Sequence, residues 1–207
     1  MTIAIIGAGN VGLALGQALA RRGERIRYGV TQPTKHSELP SQVAGAFVGA
    51  TASAIEGAEI VILAVPYSAA AAVAQSVADW EGRILVDATN PIAPGLAGLS
   101  IGTTTSGAEE VAKQAHNARV VKAFNTTGAE NMLTPAYPHG QVFMPVCGDD
   151  AEAREKIVAL ATLIGFEAVD LGALAAARYL EPFGMTWIHM AIKMGHGRRF
   201  GFGLLHR

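Results

Sequence analysis

A short apolar strand running into Gly7-Ala8-Gly9-Asn10-Val11-Gly12 is the feature that most narrows what this chain can become. Thr2-Ile3-Ala4-Ile5-Ile6 is β-branched and apolar, the pattern of a buried parallel strand. Beyond the turn the apolar positions take helical spacing, at Val11, Leu13, Leu15, Ala18 and Leu19, until Gly23 stops them. The G-x-G-x-x-G spacing alone is weak, because 24 glycines in 207 residues produce chance matches. Placed between a strand and a helix, it has a physical meaning. Gly7 permits the tight turn, Gly9 lets the backbone approach a pyrophosphate, and Gly12 lets the helix lie close on the strand. Phosphates then meet unpaired N–H groups at a helix N-terminus, where the dipole favours negative charge. The bland alternative is a glycine-rich turn with no ligand.

Strand signals recur along the chain at Arg25–Tyr28, Ala46–Val48, Ile60–Val65, Arg83–Asp87 and Val120–Ala123. Helical patterns fall between several of them, which predicts an α/β fold: a doubly wound, Rossmann-type, mostly parallel sheet. Residues 1–140 form the dinucleotide-binding part in this reading, and 141–207 a C-terminal extension on the same sheet. Ser53 to Glu56 has capping-box spacing for a one-turn helix, and Ser106 to Glu109 for a longer one. An alanine-rich helix is expected over Ser68 to Trp80, and a turn-rich linker over Pro135 to Gly140. Val142 to Cys147 reads as an edge strand because it contains Pro145. Asp149 or Asp150 caps a helix ending at Ile164, with Gly165 beyond it. A last strand spans Glu167 to Leu171, and a helix kinked at Pro182 follows from Leu174. Arg178 and Glu181 are spaced for an ion pair within that helix. The glycine-spaced tail from Gly195 to Leu204 reads as a flap over the sheet or a subunit contact, so a homodimer is an option.

Composition removes several functions. Net charge is −1 and only 16% of residues are charged, so no basic face is implied for nucleic acid or an anionic membrane. The most apolar stretch, Ile60 to Val73, is interrupted at Pro66-Tyr67-Ser68 and is too short to span a bilayer. The chain starts on a strand without a charged and apolar leader, so a cytoplasmic protein is expected. Cys147 is the sole cysteine and reads as a packed small hydrophobe, with no base at recognisable spacing. The histidines are scattered, and neither a nucleophile elbow nor a P-loop is present.

In NAD-specific folds an acidic residue lies roughly 20 residues past the glycines and binds the ribose hydroxyls. Gly29 to Lys35 contains no acid, whereas Thr31, Gln32 and Lys35 are able to donate to a 2′-phosphate. NADP is favoured on this ground; a merely solvated loop is the alternative. Tyr67, after Pro66 at a strand's carboxyl end, is placed either to lean on a ribose or nicotinamide or to lid the next helix. The unpatterned loop from Ile92 to Thr105 is long enough to be functional. Asn125 and Thr126 are small polar residues at another strand end, within reach of a ligand edge or simply capping the next turn.

Ala64-Val65-Pro66-Tyr67, Asp87-Ala88-Thr89-Asn90-Pro91, Val120-Val121-Lys122-Ala123-Phe124-Asn125-Thr126 and Pro145-Val146-Cys147-Gly148-Asp149-Asp150 follow the glycine turn in that order. Together they resemble the deazaflavin-dependent NADP oxidoreductases, the coenzyme F420:NADP oxidoreductase family, across essentially the whole chain. The resemblance implies hydride transfer between NADP(H) and a deazaflavin, with the cofactors carrying the chemistry and no protein acid or base. It also implies that Gly9, Asn10, Val11 and Gly12 hold the pyrophosphate, with Gly7 in their turn, and that Thr31 and Lys35 hold the 2′-phosphate, with Gln32 beside them. Tyr67, Asn90 and Ala123, with Val65, Pro66 and Pro91 beside them, would line the nicotinamide ribose and ring. Asn125 and Thr126 would face the deazaflavin. The chain departs from the family pattern in having no arginine beside Thr31 or Gln32. Relatives include the reductase part of transmembrane ferric reductases, so a flavin is the second choice of small-molecule acceptor. A pyrroline-carboxylate-reductase-like enzyme would need more helix than follows Leu174, and a non-enzymatic NADP sensor is the remaining reading.

Overall fold

The computed structural model describes residues 1–205 and 207. The first strand, β1 (Thr2–Ile6), leads into α1 (Asn10–Ala20), and Gly23 ends the turn after it with φ +87°. Then come β2 (Arg25–Gly29), a short helix α2 (Leu39–Gln42), β3 (Phe47–Gly49), α3 (Thr51–Ile55) and β4 (Ile60–Leu63). The next group is α4 (Tyr67–Gln75), β5 (Ile84–Asp87), α5 (Gly107–Gln114), β6 (Arg119–Lys122) and α6 (Ala129–Leu133). A two-residue hairpin pair, β7 (Ala136–Tyr137) and β8 (Gly140–Gln141), precedes β9 (Phe143–Gly148), α7 (Ala151–Ile164) and β10 (Glu167–Asp170). The chain closes with α8 (Ala177–Ile188), which widens into a π-helical turn over His189–Lys193.

Eight strands form one sheet in the order β10-β9-β6-β5-β4-β1-β2-β3. All neighbours are parallel except β6 and β9. The sheet is therefore the doubly wound Rossmann-type arrangement, with β9 and β10 added beyond β6 and running the other way. Both faces are covered, and alternation along β1 shows it: Ile3 and Ile5 enter one apolar cluster, Ala4 and Ile6 the other. The strand order reverses between β1 and β4, where an open α/β sheet leaves a crevice at its carboxyl ends.

Several expectations are corrected. Ser53 lies inside α3 and caps nothing; the N-cap is Ala50. The alanine-rich helix starts one residue early, at Tyr67, and stops at Gln75, short of Trp80. Trp80 is instead folded under the helix, its Nε1 donating to the Ala74 carbonyl at 3.0 Å. Pro145 sits in an interior strand rather than an edge one. It is tolerated because β9 pairs with β6 only at Cys147 and Gly148, so Pro145 pairs on one side alone, with Val169. The linker over Pro135 to Gly140 contains β7 and the start of β8. Ser106 and Asp150 do cap α5 and α7, accepting from the Glu109 and Ala153 amides, and Gly165 follows α7 with φ +120°.

The glycine-rich tail folds back along the sheet. Phe143 N–H donates to the Phe202 carbonyl at 2.8 Å, while Asn131 Nδ2 and Trp187 Nε1 both donate to Phe200 O. Phe200 stacks on Trp187 with centroids 5.3 Å apart. This fixes the outer end of α8 over the carboxyl ends of the central strands.

Candidate functional site

The glycine turn does what its spacing predicts. Gly7 adopts φ +105°, a conformation open to glycine and costly for other residues, and its N–H pairs with Gly29 O at 2.9 Å. A Cβ on Gly12 would run into the Gly7 carbonyl oxygen, so only glycine lets α1 start this close to β1. Gly9 is extended and a Cβ there would meet nothing within 4 Å; it faces open cleft. The leading amides of α1 carry no intrahelical partner and form the positive end of an eleven-residue helix.

A cleft of about 810 Å³ opens in front of that helix. Gly9, Asn10 and Val11 line one end, Val65, Pro66 and Tyr67 a side, and Thr89, Asn90 and Asn125 the floor, with Trp187, Ile188 and Ile192 opposite. A second hollow of about 740 Å³ adjoins it, shares Leu96 and Ser100, and is walled by 96–103 and the outer turns of α8.

Beneath the floor lies a set of charges. Register places Asp87 beside Lys122 at the last positions of β5 and β6. Both are fully buried, and Lys122 Nζ donates to Asp87 Oδ2 at 2.8 Å and to Thr89 O at 2.7 Å. Glu181 on α8, also buried, lies 3.0 Å from the same Nζ. Glu181 in turn accepts from the Gly107 and Ala108 amides at 2.9 and 3.1 Å, neutralising the N-terminus of α5. Burial by itself would lower the Lys122 pKa, but Asp87 and Glu181 outweigh it and hold it above the usual lysine value. Removing one member of such a buried set leaves an uncompensated charge and costs about 3–5 kcal/mol. Above it, Asn125 Nδ2 donates to Asn90 Oδ1 and Leu180 O, and Asn90 Nδ2 donates to Asn125 O. Asn125 Oδ1 is buried and has no hydrogen-bond partner among the described residues. Phe124, just before it, holds φ +60°, where a non-glycine residue costs on the order of 1–3 kcal/mol. That strained turn swings the chain off β6 into the cleft.

Most of the expected residues converge here. Gly9, Asn10, Val11, Val65, Pro66, Tyr67, Asn90 and Asn125 line the cleft, and Gly7 and Gly12 build its turn. Pro91 is buried beside it. Ala123 and Thr126 lie under the floor, 0% and 2% exposed, and do not line it. Thr31, Gln32 and Lys35 are exposed beyond β2, Lys35 in a 3-10 turn over Pro33–His36, outside the cleft's own lining. Tyr67 opens α4; burial, then Glu181 and Asp87, raise its hydroxyl pKa, so it stays protonated. The Arg178–Glu181 pair does not form. Arg178 forks onto Glu109 at 2.6 and 2.9 Å and pins α5 to α8, while Glu181 turns inward. Cys147 is buried and its thiol is pushed up to about 12 by that burial, as a packed residue rather than a nucleophile. Lys122, Glu181, Phe124 and Trp187 were not anticipated as part of the site. The available signal was two opposite charges, Asp87 and Lys122, each following an apolar run at the carboxyl end of a strand.

The model of the family described as NADP oxidoreductase, coenzyme F420-dependent, matches residues 2–91. The F420-dependent NADP reductase of Methanothermobacter marburgensis is 33% identical over 210 residues, covering 93% of each chain. The chain belongs to the coenzyme F420-dependent NADP oxidoreductase family. A candidate F420-dependent NADP reductase from Arthrobacter sp. FB24 has a TM-score of 0.87 and 28% identity, covering 100% of both chains. The metalloreductase STEAP3 of Rattus norvegicus is 30% identical over 86% of this chain, which spans only 35% of that longer protein.

Membership makes the protein an NADP-dependent oxidoreductase, with NADP(H) and F420 as the family's cofactors. The residues present fit that chemistry. Gly9 leaves a cradle that any side chain would fill, the α1 amides suit a pyrophosphate, and Asn125 Oδ1 is an orphaned buried acceptor. Among the described residues no helix is long and apolar enough to cross a membrane.

Proposed function

We propose that this protein catalyses hydride transfer between NADP(H) and a deazaflavin coenzyme, with both ring systems held in the cleft between the glycine turn and α8. Asn125 Oδ1 carries the reading: a buried, unpartnered acceptor beside a switch-point cleft suits a planar ring edge bearing N–H groups. In this assignment Gly9, Asn10 and Val11 bind the pyrophosphate. Thr31, Gln32 and Lys35 reach the 2′-phosphate, while Tyr67, Asn90 and Asn125 orient the reacting end. When bound, the dihydronicotinamide supplies a hydride and the deazaflavin accepts one. The protein's part is orientation and exclusion of water: Asn90 and Asn125 set the floor, and Tyr67, Trp187 and Ile188 wall the cleft with apolar surface. Residues 1–140 serve as the NADP-binding part and 141–207 as its extension. A cytoplasmic location belongs to the same proposal.

Stopped-flow mixing of protein and NADPH with F420, FMN, FAD and a cyclic imine in parallel tests it. Rapid loss of NADPH absorbance with F420 is expected; loss with the imine alone, or with none, overturns it. Loss with a flavin favours the second reading, a flavin-linked metal reductase, which the likeness to STEAP3 supports.

A further inference from the structure

We propose that Lys122 is a positioning residue for the nicotinamide end of the cleft, acting through Thr89, Glu181 and the Asn90–Asn125 pair. The inference rests on the NADP reading above. An ammonium has three N–H donors, and Lys122 has three acceptors within 3.0 Å: Asp87 Oδ2, Thr89 O and Glu181 Oε1. None is left for a ligand, and Lys122 is fully buried, so it acts on the cleft only through what it holds.

What it holds is the floor. Asp87 Oδ1 accepts from the Thr89 amide at 2.9 Å and hydroxyl at 2.7 Å, and Lys122 takes the Thr89 carbonyl, so the turn from β5 is gripped on both sides. The next residue is Asn90. Through Glu181, Lys122 also fixes α8, whose Leu180 carbonyl receives Asn125 Nδ2 at 3.2 Å. α8 packs directly on the pair: a Cβ on Gly184 would lie 2.6 Å from Asn125 O and 3.1 Å from Asn90 Oδ1. Both anchors of the asparagine pair thus lead back to one nitrogen. With Asn125 Nδ2 spent on Asn90 and Leu180, Oδ1 is left as a buried acceptor without a partner in a residue that lines the cleft. An apolar trio of equal volume would fill this space at least as stably, but would not fix Thr89 O or the setting of α8.

Titrating NADPH and 2′,5′-ADP into the wild type, Lys122→Met and Glu181→Gln tests this, because 2′,5′-ADP has the phosphate end without the nicotinamide. Glu181→Gln keeps the Lys122–Asp87 pair, and so serves if Lys122→Met fails to fold. The expected result is a selective loss: NADPH affinity falls about tenfold or more in Lys122→Met and about threefold in Glu181→Gln, while 2′,5′-ADP affinity stays within twofold. Equal weakening of both ligands, the mark of a merely structural role, would overturn the proposal, as would unchanged NADPH binding in the folded variants. A wild type that binds neither ligand would instead overturn the NADP reading, and this inference with it.

Discussion

Asn90 and Asn125 stand 35 residues apart and hold each other by two hydrogen bonds, side chain to side chain at 2.9 Å and side chain to backbone at 2.7 Å. The pair ties the turns after β5 and β6 across the floor of the cleft. It also decides which way the Asn125 amide faces: its nitrogen is claimed by two acceptors, and its oxygen is left buried without a partner.

Gly9→Val should abolish NADPH binding while leaving the fold intact. Gly9 is extended, a conformation valine accepts readily, and the space around a Cβ there is cleft rather than protein. A loss of at least about 100-fold, roughly 2.7 kcal/mol, is expected by calorimetry, with a normal melting temperature. Gly12→Val is the contrast: its Cβ meets the Gly7 carbonyl, so stability itself should fall. Normal NADPH binding by a well-folded Gly9→Val protein would place the cofactor elsewhere.

NADPH should bind more tightly than NADH. The loop after β2 has no carboxylate, and Thr31, Gln32 and Lys35 are exposed there. A charge-assisted bond to the 2′-phosphate contributes roughly 1.5–3 kcal/mol, or about ten- to a hundredfold. Lys35→Ala should narrow the preference in paired Kd measurements, and equal affinities in the wild type would defeat the claim.

The acceptor's place is best tested from α8. Thr126, expected to face the acceptor, is buried with its hydroxyl 3.9 Å from Met144 Sδ, so Thr126→Trp would strike the core. Ile188 lines the wall opposite the glycine turn. Ile188→Trp should raise the acceptor KM by about tenfold, some 1.4 kcal/mol, and leave the NADPH Kd within about threefold. An unchanged acceptor KM would move the slot away from this wall.

Stability should decline in alkali from three groups in turn. Burial pushes the Cys147 thiol up to about 12, so the fold favours its protonated form. That contribution is complete below the unfolded value of about 8.5 and is lost as pH rises towards 12. Tyr28, raised by burial, and Lys122, raised by its carboxylates against its burial, add losses in the same direction from about pH 10. Urea midpoints from pH 7 to 10.5 should fall, and Cys147→Ala should flatten the first part of the decline. A wild-type profile level to pH 10 would contradict this.

Local pattern was enough for the scaffold. The run from β1 through Gly7 to α1, the buried parallel strands and the caps at Ser106, Asp150 and Gly165 were all legible in the sequence. Each depends on neighbours within a few residues: period-two or helical apolar spacing, a side chain three residues from an amide, a glycine where φ is positive. From these the Rossmann-type class and the glycine end of the cleft followed, and the family resemblance added Val65, Pro66 and Asn90 to its lining. Tertiary structure alone decided the rest. Pro145 sits in an interior strand because β6 turns away beside it. Arg178 and Glu181 part company because α8 packs with one face on Glu109 and another over Lys122. Ala123 went under the floor because the strained Phe124 turns the chain between it and Asn125, and Thr126 is buried with its hydroxyl toward Met144. The triad beneath the cleft joins β5, β6 and α8, and whether a charge is buried, paired or exposed depends on strand register and helix rotation across those elements. Periodicity along one segment does not contain that information, because it is set where separate segments meet.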